Sequence, residues 1–322
     1  MDEERFRKNR FLVVGRAGMD LYAAPPGTRI DEASGFTSAL GGSAANIAAG
    51  ICRLGGKASL VTVVSDDAVG RYISNQLAAY SIDAHYVSII QGEPRTSLAV
   101  VETRSDNCQS VIYRNNASDF QLSSQHVSKV ALSDFGAVII TGTALAMDPS
   151  RSAVFDLLHR ANLARLPVII DLDYRPYSWA SQAEARRICL QAANLANIIV
   201  GNDVEFDLIA TEAGGGLDLA RQMATKPDVI AIHKLGERGS ITFTNEGPIE
   251  LPVFAVTALK PTGAGDAFLA GFCTAFASGV SLLDALRNGS AAAAIVVTRV
   301  GCAPASPTQV EISAFLSTHA AN

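Results

Sequence analysis

Residues 260–268 read KPTGAGDAF, between an apolar run, LPVFAVTAL (251–259), and FLAGFCTAFASG, in which Phe268, Phe272 and Phe276 recur every four residues. That period predicts a helix starting near Ala264, and the apolar run before it reads as a strand. A strand, a loop with Gly263 and Gly265, and a helix place unpaired backbone N–H groups at the positive end of a helix dipole, a ready site for phosphate charge. Asp266 falls in the first helical turn. From position alone it reads equally well as an acidic residue complementing the dipole. Two other phosphate motifs are excluded: GAGDAF fails the dinucleotide GxGxxG pattern at Phe268, and GICRLGGKA (50–58) fails the phosphate-loop spacing at Ile51 and Ala58.

Working outward, short β-branched runs alternate with longer segments of helical period, the pattern of a parallel sheet covered by helices on both faces. FLVVG (11–15), ASLVTVV (58–64), GAVIITG (136–142), PVIIDLD (167–173), NIIVGN (197–202) and DVIAIHK (228–234) read as strands. Helices are expected over 43–56, with Ile47, Ile51 and Leu54 on one face and a Gly55-Gly56 stop, and over 67–80, 151–165 and 180–195. Residues 95–114 depart from this rhythm. They form two half-polar runs joined by the turn-forming SDN, a hairpin with no helix between its arms. The fold class is therefore α/β: a mostly parallel central sheet flanked by helices, spanning residues 1–322 as a single domain, with a small β-sheet lid from about 16–38 and 95–118.

Composition excludes several classes of partner. The chain has 322 residues, 48% apolar, and a formal charge of −5 from 26 Lys plus Arg against 31 Asp plus Glu. No basic block interrupted by aromatics offers a nucleic-acid footprint. The first ten residues, MDEERFRKNR, are charged where a signal peptide is apolar, and no apolar run is long enough for a bilayer, so a cytoplasmic protein with no membrane partner is expected. Five cysteines with no CxxC pair argue against a disulfide framework or zinc site, and read as buried filler.

Ligands of open α/β sheets bind beyond the carboxyl ends of the strands. Here those ends carry Gly15 to Asp20, Thr141 to Thr143, Asp171 with Asp173 and Arg175, Gly201-Asn202, and His233-Lys234. Each alone reads as a turn or cap. Together they point to one crevice.

TGAGDAFLAGF (262–272) resembles the C-terminal signature of the ribokinase-like, or PfkB-type, sugar kinases, and GGSAANIAAGICRLG (41–55) resembles their N-terminal signature. GRAGMDLY (15–22), NDVE (202–205), KLGERGS (234–240) and RVGCAPASPT (299–308) follow in family order, so the resemblance covers essentially the whole chain. GRAGMDLYAAPPGT, SVIYRNNASDF and KPTGAGDAF are similar, more narrowly, to the kinases of 5-dehydro-2-deoxygluconate in inositol catabolism, and less so to those of 2-keto-3-deoxygluconate.

The resemblance implies an ATP-dependent phosphotransferase acting on a sugar. Asp266 would be the general base, with the N–H groups of Gly263, Ala264 and Gly265 stabilising the transferring phosphoryl group. Asn202, Lys234, Gly236, Gly239, Thr262, Asn288 and Gly301 would border ATP, and Glu205 would organise Mg2+ through water. Asp20, Gly42 and Asn46 would grip acceptor hydroxyls. Arg114 and Arg175, with Tyr113 and Asn116 beside them, would meet an acceptor carboxylate, since a guanidinium binds both carboxylate oxygens. Either arginine otherwise reads as a surface ion pair. A homodimer through the lid is the expected assembly. Other readings stay open: a fructokinase, ribokinase or nucleoside kinase, and a silent sugar-binding regulator, against which the intact TGAGD and NDVE stand. One departure is informative. Many relatives carry an Asp six residues before the catalytic Asp, helping to hold a monovalent cation; here that position is Lys260, which implies activity without potassium.

Overall fold

The computed structural model describes residues 3–319 apart from 211 and 213. In chain order its strands are β1 (Arg10–Val14), β2 (Gly18–Ala24), β3 (Gly35–Gly41), β4 (Lys57–Ser65), β5 (Val87–Ile90), β6 (Leu98–Val101), β7 (Ser110–Tyr113), β8 (Ala137–Thr141), β9 (Val168–Asp171), β10 (Ile198–Asn202), β11 (Ile230–Lys234), β12 (Ser240–Thr244) and β13 (Gly247–Leu251). Nine of them form one sheet in the order β13-β12-β11-β10-β9-β8-β1-β4-β5. From β11 to β5 all neighbours are parallel, and β12 and β13 close one edge in antiparallel fashion.

Both faces of the sheet are covered, which explains why its strands are continuous apolar runs. In β1, Phe11 and Val13 enter one core while Leu12 and Val14 enter the other, and all are fully buried. The helices Ser43–Arg53, Ala68–Ala79, Ala264–Ala277 and Leu282–Val297 pack on the first face; Ser150–Leu163, Gln182–Ala193 and Gly216–Met223 pack on the second. Close helix approach on the first face has a chemical consequence. A Cβ at Gly50 would fall 2.7 Å from the Cβ of Ala270, so the helices Ser43–Arg53 and Ala264–Ala277 nearly touch there. One turn earlier in each helix stand Asn46 and Asp266, and the Asn46 amide donates to Asp266 Oδ2 at 2.9 Å.

The second sheet has the order β3-β2-β6-β7. Its register places Asp20, Ala39, Ala99 and Ile112 in one row and Tyr22, Thr37, Val101 and Ser110 in the next, all on the face toward the strand ends of the large sheet. The opposite face carries Leu21, Leu98, Val100, Val111, Tyr113 and Phe36; Val111 and Tyr113 are 46% and 60% exposed.

Several strands differ from the sequence reading. The strand expected over 251–259 ends at Leu251, because β13 is an edge strand and Pro252 has no N–H to continue a ladder. Residues 252–258 have no regular structure, and the N–H groups of Leu259 and Lys260 both donate to Val297 O at 2.8 and 3.2 Å, anchoring the loop to a helix end. β5, β12 and β13 are strands beyond those expected from the sequence, each only four or five residues long. β3 runs to Gly41, three residues past the boundary expected at 38.

Candidate active site

The strand ends of the large sheet and the inner face of the small one enclose a cavity of about 600 Å3. Its floor is the start of the helix Ala264–Ala277. Gly263 is the N-cap, with φ 85°, a left-handed conformation open to glycine. A Cβ there would also lie 2.7 Å from Cys302 Sγ. The first helical bond runs from Ala267 N to Gly263 O at 3.0 Å, so the N–H groups of Ala264, Gly265 and Asp266 have no acceptor among the described residues. They face the cavity wall formed by Thr262, Gly263, Ala264, Gly265 and Asp266.

Below this loop lies a fully buried lysine. Lys260 Nζ donates to the carbonyl of Thr262, and because a peptide is planar and trans the N–H of Gly263 is turned the opposite way. Burial lowers the Lys260 pKa, while Cys302, Asp266 and Asp20 support its charge. Lys234, at the end of β11, is a second cation at the loop. Its ammonium stands 3.6 Å from Asp171 Oδ1, and a Cβ at Gly265 would lie 3.1 Å from it.

Carboxylates crowd the same space. Burial pushes Asp266 up to about 7; Asp173 and Asp171 add to the rise, and the Asn46 hydrogen bond and Arg175 oppose it. Asp171 is raised to about 6, again by burial first, with Lys234 acting against Glu205 and Asp173. Asp173 accepts from Ser43 Oγ at 2.7 Å and Thr143 Oγ1 at 3.2 Å, and forms an ion pair with the Arg175 guanidinium at 2.8 Å. Glu205 lines the cavity and also caps the helix Asp203–Ile209. Its oxygens accept from the backbone N–H groups of Asn202 at 2.8 Å and Tyr174 at 3.1 Å, while Asn202 Oδ1 accepts from Glu205 N at 3.0 Å. Among the described residues no group of three or more His, Cys, Asp or Glu is arranged to cage a metal.

Asp20 is buried on the roof, raised in pKa mainly by burial, with Tyr22 OH donating to Oδ2 at 3.3 Å. Its carboxyl occupies the place a Gly41 side chain would take, 1.9 Å from Oδ1. Gly42 has φ 94°, and a Cβ there would fall 2.4 Å from Arg16 O. Arg114 is buried against Asp119, reached by both Nε and a terminal nitrogen, and its guanidinium lies 4.1 Å from the Phe120 ring centroid.

Most sequence-derived site residues therefore meet at one cavity: Asp20, Gly42, Asn46, Arg114, Arg175, Asn202, Glu205, Lys234, Gly236, Gly239, Thr262, Gly263, Ala264, Gly265 and Asp266 all line it. Four do not. Tyr113 points away because β7 alternates, turning Ser110 and Ile112 inward and Tyr113 outward. Asn116 is exposed, and its carbonyl accepts from Arg95 N at 3.3 Å. Asn288 turns off the wall, its amide donating to Asp284 O at 2.8 Å, while Ser290 and Ala293, about half a turn away, face the cavity. Gly301 makes the turn, with φ 83°, that brings the next residue, Cys302, onto the wall.

Sequence reasoning also missed several lining groups. Cys189, Cys273 and Cys302 are buried as expected while Cys52 and Cys108 are half-buried, and Cys302 and Cys108 also border the cavity. Arg16 and Tyr177 line it too. Arg16 carried the same signal as its assigned neighbours, a polar residue directly after a strand.

The chain matches the model of the pfkB family of carbohydrate kinases over residues 8–309. It is 37% identical over 312 residues to a 5-dehydro-2-deoxygluconokinase of Photobacterium profundum, covering 95% of this chain and 94% of that one. It is 36% identical over 322 residues to a 5-dehydro-2-deoxygluconokinase of Bacillus anthracis, covering 97% of each. Among solved structures it superimposes on fructokinase with bound ATP from Xylella fastidiosa with a TM-score of 0.85 at 23% identity, over 97% of this chain and 99% of that one. A putative ribokinase II of E. coli in complex with ATP and Mg2+ gives a TM-score of 0.85 at 22% identity, over 96% and 99%. These two likenesses establish the ribokinase-like fold expected from the sequence.

The raised Asp266 pKa has a measurable consequence. A carboxyl raised from 3.8 to about 7 on folding contributes stability in acid that is lost as pH climbs through that range. Asp266→Asn removes this loss. Its melting temperature should exceed that of the unaltered protein at pH 8, and the excess should shrink steadily toward pH 4. An excess independent of pH would show that Asp266 is not held in its protonated form.

Proposed function

The chain belongs to the pfkB family of carbohydrate kinases, and from that premise we propose that it transfers the γ-phosphoryl group of ATP to the terminal hydroxyl of a keto-deoxy sugar acid, with 5-dehydro-2-deoxygluconate the favoured acceptor. One observation carries the reading: Asp266, with its raised pKa, shares a single cavity with uncapped helix N–H groups and with buried arginines. In the proposed step the acceptor hydroxyl oxygen attacks the γ-phosphorus, its proton passes to Asp266, and the bond to the departing ADP oxygen breaks. The N–H groups of Gly263, Ala264 and Gly265 stabilise charge on the transferring group. A carboxylate pKa near working pH suits a base that must take a proton and return it.

Asn202, Lys234, Gly236, Gly239 and Thr262 border the nucleotide side. Glu205 and Asp171 Oδ1, which accepts no hydrogen bond among the described residues, supply hard oxygen donors at the same end, and with no cage of three or more His, Cys, Asp or Glu among those residues the donor set fits a Mg2+ held through water and nucleotide phosphates. When bound, that ion neutralises phosphate charge. Asp20, Gly42 and Asn46 meet acceptor hydroxyls, while Arg114 and Arg175 meet the carboxylate. The names of the relatives favour 5-dehydro-2-deoxygluconate; 2-keto-3-deoxygluconate offers the same carboxylate and terminal hydroxyl. The small sheet acts as the lid over this site. Its apolar outer face, with Leu21, Val100 and Val111 in register, supports a homodimer in which two lids pack together.

Asp266→Asn should keep ATP and acceptor binding and lower turnover by about 10²- to 10⁴-fold. The measurement is ADP release with both acids, fructose, ribose and adenosine. Near-normal turnover would remove Asp266 from the chemistry, and preference of the unaltered protein for a neutral acceptor would remove the acid reading. Because Lys260 already places a cation under the loop, rates in potassium and tetramethylammonium buffers should agree, and strong potassium activation would count against this role. Sedimentation should give a dimer that Val111→Asp converts to monomer; a monomeric unaltered protein rejects lid pairing.

A further inference from the structure

Resting on the acid-acceptor reading, we propose that Arg16 is a specificity-determining residue that holds the acceptor's carboxylate together with Arg114 and Arg175. Arg16 leaves β1 just after Gly15, is 7% exposed, and lines the cavity. Its seat is built. A Cβ at Gly18 would fall 2.3 Å from the guanidinium, so the glycine makes room for it, and a terminal nitrogen donates to Ser97 Oγ at 2.8 Å.

What this guanidinium lacks is a full set of acceptors. A guanidinium has five N–H donors, and buried donors are normally satisfied. Among the described residues Arg16 makes that single hydrogen bond, and its ion pair with Asp20 Oδ1 is loose, at 3.6 Å. Its neighbours are better engaged. Arg114 bonds Asp119 through two nitrogens and reaches Thr143 O at 3.2 Å; Arg175 holds a tight ion pair with Asp173 at 2.8 Å and donates to Tyr174 O at 3.2 Å. Arg16 therefore has more unused donor capacity than Arg114, and a looser ion pair than either neighbour, for a ligand with two acceptor oxygens.

The three guanidinia also share a location. The Tyr177 phenol on the cavity wall lies in the fields of Arg175, Arg16 and Arg114 together, whereas the leading cationic influence on Asp266 is Arg175. Arg175 thus acts on both Asp266 and Tyr177, and Arg16 and Arg114 act on Tyr177 with it, all five groups lining the one cavity. In the proposed complex an acid with its terminal hydroxyl at Asp266 turns its carboxylate toward these guanidinia.

The test is steady-state ADP release by the full chain with 2-keto-3-deoxygluconate, 5-dehydro-2-deoxygluconate and high fructose, for the unaltered protein, Arg16→Gln, Arg16→Lys and Ser97→Ala. Loss of a buried charge partner predicts a drop in kcat/KM toward the acids of about a hundredfold in Arg16→Gln, carried by KM, with fructose turnover changed less than about threefold. Arg16→Lys should recover part of the loss. Ser97→Ala, which removes only the tether, should keep the preference for acids. If the unaltered protein prefers acids but Arg16→Gln loses equally on acids and fructose, Arg16 is a structural tether and the proposal falls alone. If the unaltered protein ignores the carboxylate, the acid reading falls and the role of Arg16 with it.

Discussion

Asp266 sits in a half-buried first helical turn beside the buried Asp171 and Asp173, and the surrounding structure is arranged around the electrostatic difficulty this creates. Buried like charges raise one another's pKa and favour protonation. Three cations answer them from three directions: Lys260 below the loop, Lys234 at the end of β11, and Arg175 beyond β9. None reaches Asp266 in a close ion pair. Among the described residues the neutral Asn46 amide is the one side-chain hydrogen-bond partner of the Asp266 carboxyl, which is neither locked in its charged form nor left without support. That balance is what a reversible proton acceptor needs.

The same balance explains the small residues packed around the site. Gly50 lets two helices approach until Asn46 reaches Asp266, and Gly41 leaves the space that the Asp20 carboxyl fills. Gly263 takes a left-handed turn so that the following N–H groups face the cavity, with Cys302 filling the volume behind it. The absent Cβ leaves room for the Asp20 carboxyl at Gly41, for the Ala270 methyl at Gly50 and for the Cys302 sulfur at Gly263. Substitution there would displace chemistry as well as packing.

The small sheet joins this chemistry to the surface through strand alternation. Its inner rows bring Asp20, Ala99, Val101, Ser110 and Ile112 to the cavity, and its outer rows are mostly apolar, with Ser38 in register with Leu21. An antiparallel sheet with one solvated face alternates apolar with polar residues. This sheet does not, so both of its faces have something to cover.

Much of the molecule was legible in the amino-acid sequence, because local periodicity and capping chemistry act over a few residues. The parallel strands, the helices over 43–53 and 264–277, the hairpin of 98–113 and the glycine loop that opens the helix at 264 are all of this kind. The motif spacing likewise marked Asp266, Asn202 and Lys234 as residues of one crevice. Tertiary structure decided what depends on side-chain direction and on partners distant in sequence. It turned Tyr113 outward by strand register and Asn288 aside by helical pitch, and it ended the expected strand at Pro252 where the sheet had no further edge to offer. It also gave Glu205 a capping bond to Tyr174, 31 residues away, and left the Arg16 guanidinium buried with one hydrogen bond to Ser97, 81 residues away. Periodicity carries no information about contacts at that separation, since they are created only when the two sheets close over the strand ends.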